Sequence, residues 1–219
     1  MNLPPVGLGT MGIEDDTVVS DAVTVATKLW TDNLAADGVR PGTEASLDRL
    51  GLDRVDLLYV HRPRGGYDPE TTLPALETVR EAGLTDSVGV SNFDVEQLRT
   101  ASEYIAIDAH QVEFHPFWWQ RSLLNHAQRH DYPLVAYSPL AGGQVFEDPT
   151  IAAIGETHGT TPAAVAIAWA TSYDTVVTIP KASSRAHLEG NLAAADLELD
   201  DEEIARIEAI EREEELFPE

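Results

Sequence analysis

The chain has 219 residues, 14 Lys and Arg against 38 Asp and Glu, a formal net charge of -24, 43% hydrophobic residues and no cysteine. The missing cysteine excludes disulfides and thiolate metal centres, and a surface this acidic does not neutralise phosphates, which sets nucleic-acid binding aside. Like charge on this scale repels itself unless salt screens it, and Lys28 and Lys181 are the only two lysines, so the composition reads as halophilic.

Residues 7–12, GLGTMG, match Gly-x-Gly-x-x-Gly, but only six residues precede them and two of those are proline. That leaves little room for the strand a dinucleotide fold needs, and the segment reads as a first short barrel strand. A helix-like stretch, DDTVVSDAV (15–23), runs straight into TVATKLW (24–30). From there strand-like and helix-like segments alternate. The strands are TVATKLW, VDLLYVH (55–61), DSVGVSNF (86–93), AHQVEFH (109–115), PLVAYSPL (133–140) and TVVTIPKA (175–182). Most are short β-branched or aromatic runs, as in a parallel sheet covered on both faces. The amphipathic helices are GTEASLDRLG (42–51), TTLPALETVREAG (71–83), DVEQLRTASEY (94–104), RSLLNHAQRHD (121–131) and TPAAVAIAWATS (161–172). Asp94 with Gln97 makes a capping-box pattern, and Thr161-Pro162 puts proline at a first helical position. Asp200 with Glu203 opens a last helix running through IARIEAIEREEEL (204–216). No basic stretch followed by an apolar core opens the chain, and the longest apolar run, AAVAIAWA, is too short for a bilayer. The expected location is cytoplasmic.

Alternation without a linker predicts one α/β domain over 1–219 with a parallel sheet. Two arrangements fit, an open doubly wound sheet or a closed (β/α)8 (TIM) barrel. Polar residues stand at nearly every strand tip: Lys28, His61, Ser91, Asn92, His115, Ser138 and Lys181. Ligand chemistry drawn from many strand ends is the barrel habit, whereas an open sheet gathers it at one switch point. The barrel is the expectation.

GLGT, ATKLW, SLDRLGLDRVDLLYVHRP, VGVSNF, QVEFHP, VAYSPL and IPKASS with GNLAAADLEL follow one another in this chain. In this order they resemble the aldo-keto reductase family, (β/α)8 barrels that reduce aldehydes or ketones with a nicotinamide cofactor. The resemblance implies that Lys28 is the cation lowering the pKa of a catalytic tyrosine and that His61 orients the substrate carbonyl. It implies that Ser91, Asn92 and Gln111 hold the nicotinamide carboxamide, that Tyr137 stacks on the ring, and that Ser138 and Leu140 follow the pyrophosphate. Lys181 would meet the 2′-phosphate of NADP(H), with Asn191 closing the motif and Trp30 walling the substrate pocket; Trp118 and Trp119 are further aromatic candidates there. Ala182, His187 and Gly190 depart from the family pattern, Arg185 stands nearby as a substitute, and NAD(H) stays open as cofactor. The partner is a small-molecule carbonyl substrate, with neither membrane nor nucleic acid.

The resemblance also exposes a gap. The family strand that carries a catalytic Asp and Tyr has no counterpart between Gly12 and Lys28, and the first tyrosine is Tyr59. At roughly 30 residues per βα unit, the chain is short by one, which places an internal deletion near residues 22–24. An incomplete barrel would leave strand edges that invite self-association. Tyr59 lies two residues before His61 on the same strand face and reads as a core residue; Tyr67 sits in the following loop. Three functions therefore compete: a carbonyl reductase, a nicotinamide-nucleotide-binding pseudoenzyme or regulatory module without turnover, and a metal-dependent hydrolase using His61, His110 and His115. His126 and His130, at helical i, i+4 spacing, read as a solvated helix face.

Overall fold

In the computed structural model, the described residues are 3–9 and 24–218. They form two compact units, residues 24–111 and residues 3–9 with 112–218. The helix-like stretch 15–23 and the inferred deletion lie outside the described residues, as does Gly12.

In the first unit the order is β1 (Ala26–Leu29), α1 (Ala36–Leu50), β2 (Val55–Val60), α2 (Pro69–Glu81), β3 (Thr85–Ser91), α3 (Val95–Ala101) and the start of β4 (His110–Glu113). Each strand pairs in parallel with the next: Lys28 with Tyr59, Tyr59 with Gly89, Ser91 with Gln111. The expected strands are all present, shorter at their carboxyl ends. Local chemistry sets the helix limits. Asp68 caps α2 ahead of Pro69 at its first turn, Asp94 and Gln97 complete the predicted capping box on α3, and Gly51 ends α1 at φ 66°. Helix α1 starts six residues earlier than the sequence pattern predicts, because the amides of Gly38 and Val39 both bond Ala35 O, which carries the helix through Pro41.

In the second unit β4 continues to β5 (Leu134–Tyr137) through Phe114 N to Tyr137 O at 3.2 Å, and β5 pairs in parallel with β6 (Val176–Thr178). Helix α4 (Arg121–His130) joins β4 to β5; α5 (Pro149–His158) and α6 (Pro162–Thr171) precede β6; α7 (Arg185–Ala193) and α8 (Asp201–Glu208) follow it. The expected first strand is reduced to single parallel bridges, Val6 with Thr178 and Gly9 with Lys181. A Cβ at Gly9 would stand 2.4 Å from Ile179 O, so only glycine allows this approach.

Helices α5 and α7 were not expected. Both lack a strong apolar stripe, and both are started by caps, Asp148 and Ser184. The last helix corrects the prediction: α8 opens on the Asp200–Glu203 capping box but stops at Glu208. The following backbone finds partners elsewhere, with Glu214 N bonding Phe117 O and the amides of Leu216 and Phe217 bonding Glu113. Among the described residues no helix is long and apolar enough to cross a membrane.

Candidate active site

The parallel register of the first unit brings the carboxyl ends of β1, β2 and β3 level with the start of β4: Leu29 pairs with Val60, Val60 with Val90, and Val90 with His110. Lys28 stands opposite Tyr59, with its ammonium 6.0 Å from the ring centroid. Burial lowers the Lys28 pKa, because a partly dry ammonium prefers to lose its charge. Among the described residues no carboxylate pairs with it. Tyr59 is 1% exposed. Burial raises its pKa, opposed by a hydrogen bond with the Gln111 side chain. The ring fits because residue 89 is glycine: a Cβ there would lie 2.7 Å from both Ala109 O and Tyr59 Cε1.

From Gln111 the connections continue. Its carbonyl accepts from Asn92 N at 2.9 Å. The Asn92 side-chain amide donates to His61 O at 3.0 Å and to Ser91 Oγ at 3.1 Å. Asn92 itself is left-handed at φ 60°, a conformation asparagine tolerates better than most residues. His61 packs on Trp30 with ring centroids 4.7 Å apart, and Trp30 is 56% exposed. Lys28, Trp30, His61, Ser91, Asn92 and Gln111 thus form one connected group at the strand tips. Ser91 and Gln111 are buried, while Asn92 and His61 are half-buried.

In the second unit Tyr137 ends β5 and leads into a loop with an unusual backbone. Ser138, Ala141, Gly142 and Gly143 are left-handed at φ 52°, 49°, 63° and 100°. Leu140 is half-buried on this loop. Lys181 is exposed beside Gly9, and Asn191 is buried on α7. Arg185 is exposed and held by Glu189 at 2.8 Å. Ser184 caps α7 by accepting from His187 N.

The remaining candidates serve other purposes. His110 is buried and its Nε2 accepts from Phe93 N. His115 accepts from Phe117 N on Nδ1 and bonds Glu113 through Nε2. Among the described residues no three His, Asp or Glu side chains gather where they could hold a metal ion. His126 corrects its expectation: it is 3% exposed, bonds Tyr132 Oη at 2.7 Å and stacks on His130 at 4.2 Å. Asp131, left-handed at the end of α4, turns the chain so that Tyr132 covers that helix face. Trp119 stacks on Tyr173, meets Trp169 edge-on and carries the Arg121 guanidinium at 3.9 Å. With Phe117 and Trp118 it lines a concavity of about 410 Å³ that holds none of the residues predicted for catalysis or cofactor binding. Tyr67 packs edge-on against Phe93 at 5.4 Å, and burial with the neighbouring Asp68 pushes its pKa up to about 12. The sequence reading missed Gly89, whose only signal is a glycine inside a strand, and Glu113.

Known proteins resemble this chain in sequence and fold. Methylglyoxal reductase DkgB of Escherichia coli O157:H7 is 30% identical over 252 residues, covering 96% of this chain and 94% of that protein. An alignment longer than the 219-residue chain means that the relative carries residues with no counterpart here. Dihydrodiol dehydrogenase 3 of Bos taurus is 33% identical over 233 residues, covering 90% of this chain and 72% of that one. Among solved structures, a thermostable aldo-keto reductase, Tm1743, in complex with the inhibitor epalrestat, superposes with a TM-score of 0.80 at 32% identity, covering 85% of this chain and 71% of its own. An aldo-keto reductase complexed with NADPH superposes at 0.82 and 28% identity, covering 89% and 66%. These are (β/α)8-barrel oxidoreductases, and the parallel β/α order of each unit agrees with an incomplete barrel of that type. The model of the Aldo/keto reductase family matches residues 8–212, and the chain belongs to that family.

Proposed function

We propose that this chain reduces a small aldehyde or ketone to an alcohol with NADP(H). The observation that carries the reading is the connected group at the tips of β1 to β3 and the start of β4: a half-dry lysine, a histidine against an exposed tryptophan, and the amides of Asn92 and Gln111 between them. When bound, the nicotinamide supplies the hydride. Asn92, Gln111 and Ser91 offer the donors and acceptors that a carboxamide needs. In the second unit, Tyr137 offers a ring for stacking, Ser138 and Leu140 a loop with left-handed residues for the pyrophosphate, Lys181 a point charge for a 2′-phosphate, and Asn191, on α7, a further amide. NADP(H) is favoured over NAD(H) because Lys181 is exposed in a chain that keeps only two lysines. His61, packed on Trp30, would orient the carbonyl, and Lys28 would stabilise negative charge growing near it. The relative named methylglyoxal reductase makes small dicarbonyls the first substrates to try. The acid surface suits work in a salt-rich cytoplasm.

A second reading has its own support. Tyr59 has its ring centroid 6.0 Å from the Lys28 ammonium, and burial makes its hydroxyl a weaker acid. If no other proton donor serves, and the family strand carrying one is deleted between Gly12 and Lys28, the chain binds the nucleotide without turnover. Loss of a positioned acid costs ~10²–10⁴-fold in rate. NADPH consumption with methylglyoxal or a reactive aromatic aldehyde in multimolar KCl separates the two, with Lys28→Met as the comparison. Turnover abolished in Lys28→Met supports the reductase. Tight NADPH binding with no turnover in either protein supports the second reading, and no binding at all sinks both.

A further inference from the structure

Glu113 ends β4 with 3% of its surface exposed. A carboxylate this dry needs its charge compensated, and this one receives three donors. Phe117 N donates to His115 Nδ1 at 3.3 Å, so Nε2 carries the proton that His115 gives to Glu113 Oε1 at 2.9 Å. The other two donors come from the far end of the chain: Leu216 N reaches Oε1 at 2.7 Å and Phe217 N reaches Oε2 at 3.1 Å.

The residues before them are held as well. Glu214 N donates to Phe117 O at 2.9 Å, and the Glu214 carboxylate accepts from Gln144 Nε2 at 2.6 Å. Arg212 bonds Gln144 and Glu214 and lies 4.7 Å over the Phe117 ring. Residues 212–217 are therefore tied down at several points although none of them is helical.

Where this segment lies gives it a use. Phe217 meets the Tyr137 ring edge-on at 5.8 Å. Leu216 reaches the loop beyond, 3.5 Å from where a Cβ of Gly142 would be. Tyr137, Ser138 and Leu140 are the residues proposed above for the nicotinamide ring and the pyrophosphate, so the segment touches the first and reaches the loop that carries the other two.

We propose that residues 211–218 are a strap latched by Glu113, and that release of this latch controls exchange of the nicotinamide nucleotide at Tyr137, Ser138 and Leu140. The inference rests on the nucleotide reading above. Glu113 touches no cofactor atom in this scheme and is a positioning residue. It holds the strap by its backbone amides, which makes the latch indifferent to the side chains at 216 and 217. The contact with Tyr137 depends on the Phe217 ring.

Glu113→Gln tests the latch. An amide of the same size offers one acceptor oxygen in place of two, and its NH2 opposes the amide it faces. Hydrogen exchange of the peptide 212–218 reads the latch without any cofactor; stopped-flow tryptophan fluorescence on mixing with NADPH reads nucleotide exchange. The expected result is ~10-fold or faster exchange in that peptide alone, with NADPH association and dissociation rate constants each raised ~10-fold or more. Leu216→Pro removes the 2.7 Å donor from outside the core and should reproduce both changes, which decides the matter if Glu113→Gln does not fold. A strap equally protected in the folded variants overturns the latch. A freed strap with unchanged NADPH rates overturns the control of exchange while leaving nucleotide binding intact. NADPH binding to none of the proteins overturns the nucleotide reading and the control of exchange with it.

Discussion

Gly89→Ala is the substitution whose cost the site geometry fixes most closely. The added Cβ would stand 2.7 Å from Ala109 O and 2.7 and 2.8 Å from Tyr59 Cε1 and Cδ1. Carbon atoms rest about 3.5–4.0 Å apart, so the ring must give way by roughly 1 Å. The carbonyl has less freedom, because Ala109 O accepts from Val90 N at 3.1 Å. Tyr59 is buried and its hydroxyl bonds Gln111. Swinging the ring costs about 0.5–1.5 kcal/mol in off-rotamer strain, and losing the Gln111 bond costs about 1 kcal/mol more. The sum, about 2 kcal/mol, lies within the 1–3 kcal/mol usual for overpacking. Urea denaturation in molar KCl measures it. Tyr59→Leu in the Gly89→Ala background should recover part of the loss, so that the two changes together cost less than the sum of each alone. A loss below about 0.5 kcal/mol, or strict additivity of the pair, would refute the claim that residue 89 is glycine to seat this ring.

Other perturbations read other parts of the molecule. Lys28→Met should abolish any turnover yet raise stability, since burial lowers the Lys28 pKa below its ordinary 10.5. Between the lowered value and 10.5 the unfolded chain holds more protons than the folded one. Wild-type stability therefore rises with pH through that window. The advantage of Lys28→Met should be full below the window and vanish above it; denaturation at a series of pH values that shows a constant difference would contradict the assignment. Thr161→Ala should cost about 1 kcal/mol by removing the cap that accepts from Ala164 N at 3.2 Å, a loss visible as a lower urea midpoint. Lowering KCl from molar to roughly 0.1 M lengthens the screening distance from about 3 to about 10 Å. With 38 acids against 14 bases, the melting temperature should fall; an unchanged value would remove the case for a salt-adapted surface.

What the sequence made legible follows from what one residue can signal alone. The strands were readable because most, such as VDLLYV, are short β-branched or aromatic runs, too short for the helices between them. The capping boxes of α3 and α8 were readable because they are local, spanning four residues each. Lys28 and His61 were readable as polar residues at strand tips. The end of α8 was not, because nothing in EAIEREEEL marks a stop: the amides that abandon the helix bond Glu113, about a hundred residues away. His126 likewise read as solvated since Tyr132, which buries it, belongs to the next segment rather than to its helix.

The same contrast separates the two roles in QVEFHP. Gln111 was picked out because its place in this motif resembles the family's, and an amide can supply the paired donor and acceptor that a carboxamide needs. Glu113 gave no such signal, since a carboxylate in a strand looks like one more member of an acidic surface. Its position denies that reading: at 3% exposure it cannot contribute to solvation or to salt adaptation. A dry charge costs free energy unless enough donors meet it. The amides that do so come from the C-terminal segment, which follows the end of α8 at Glu208 and is not helical. The acid that matters structurally is the one removed from water, and it is the fold, by bringing residues 113 and 216 together, that distinguishes it from the other acidic residues.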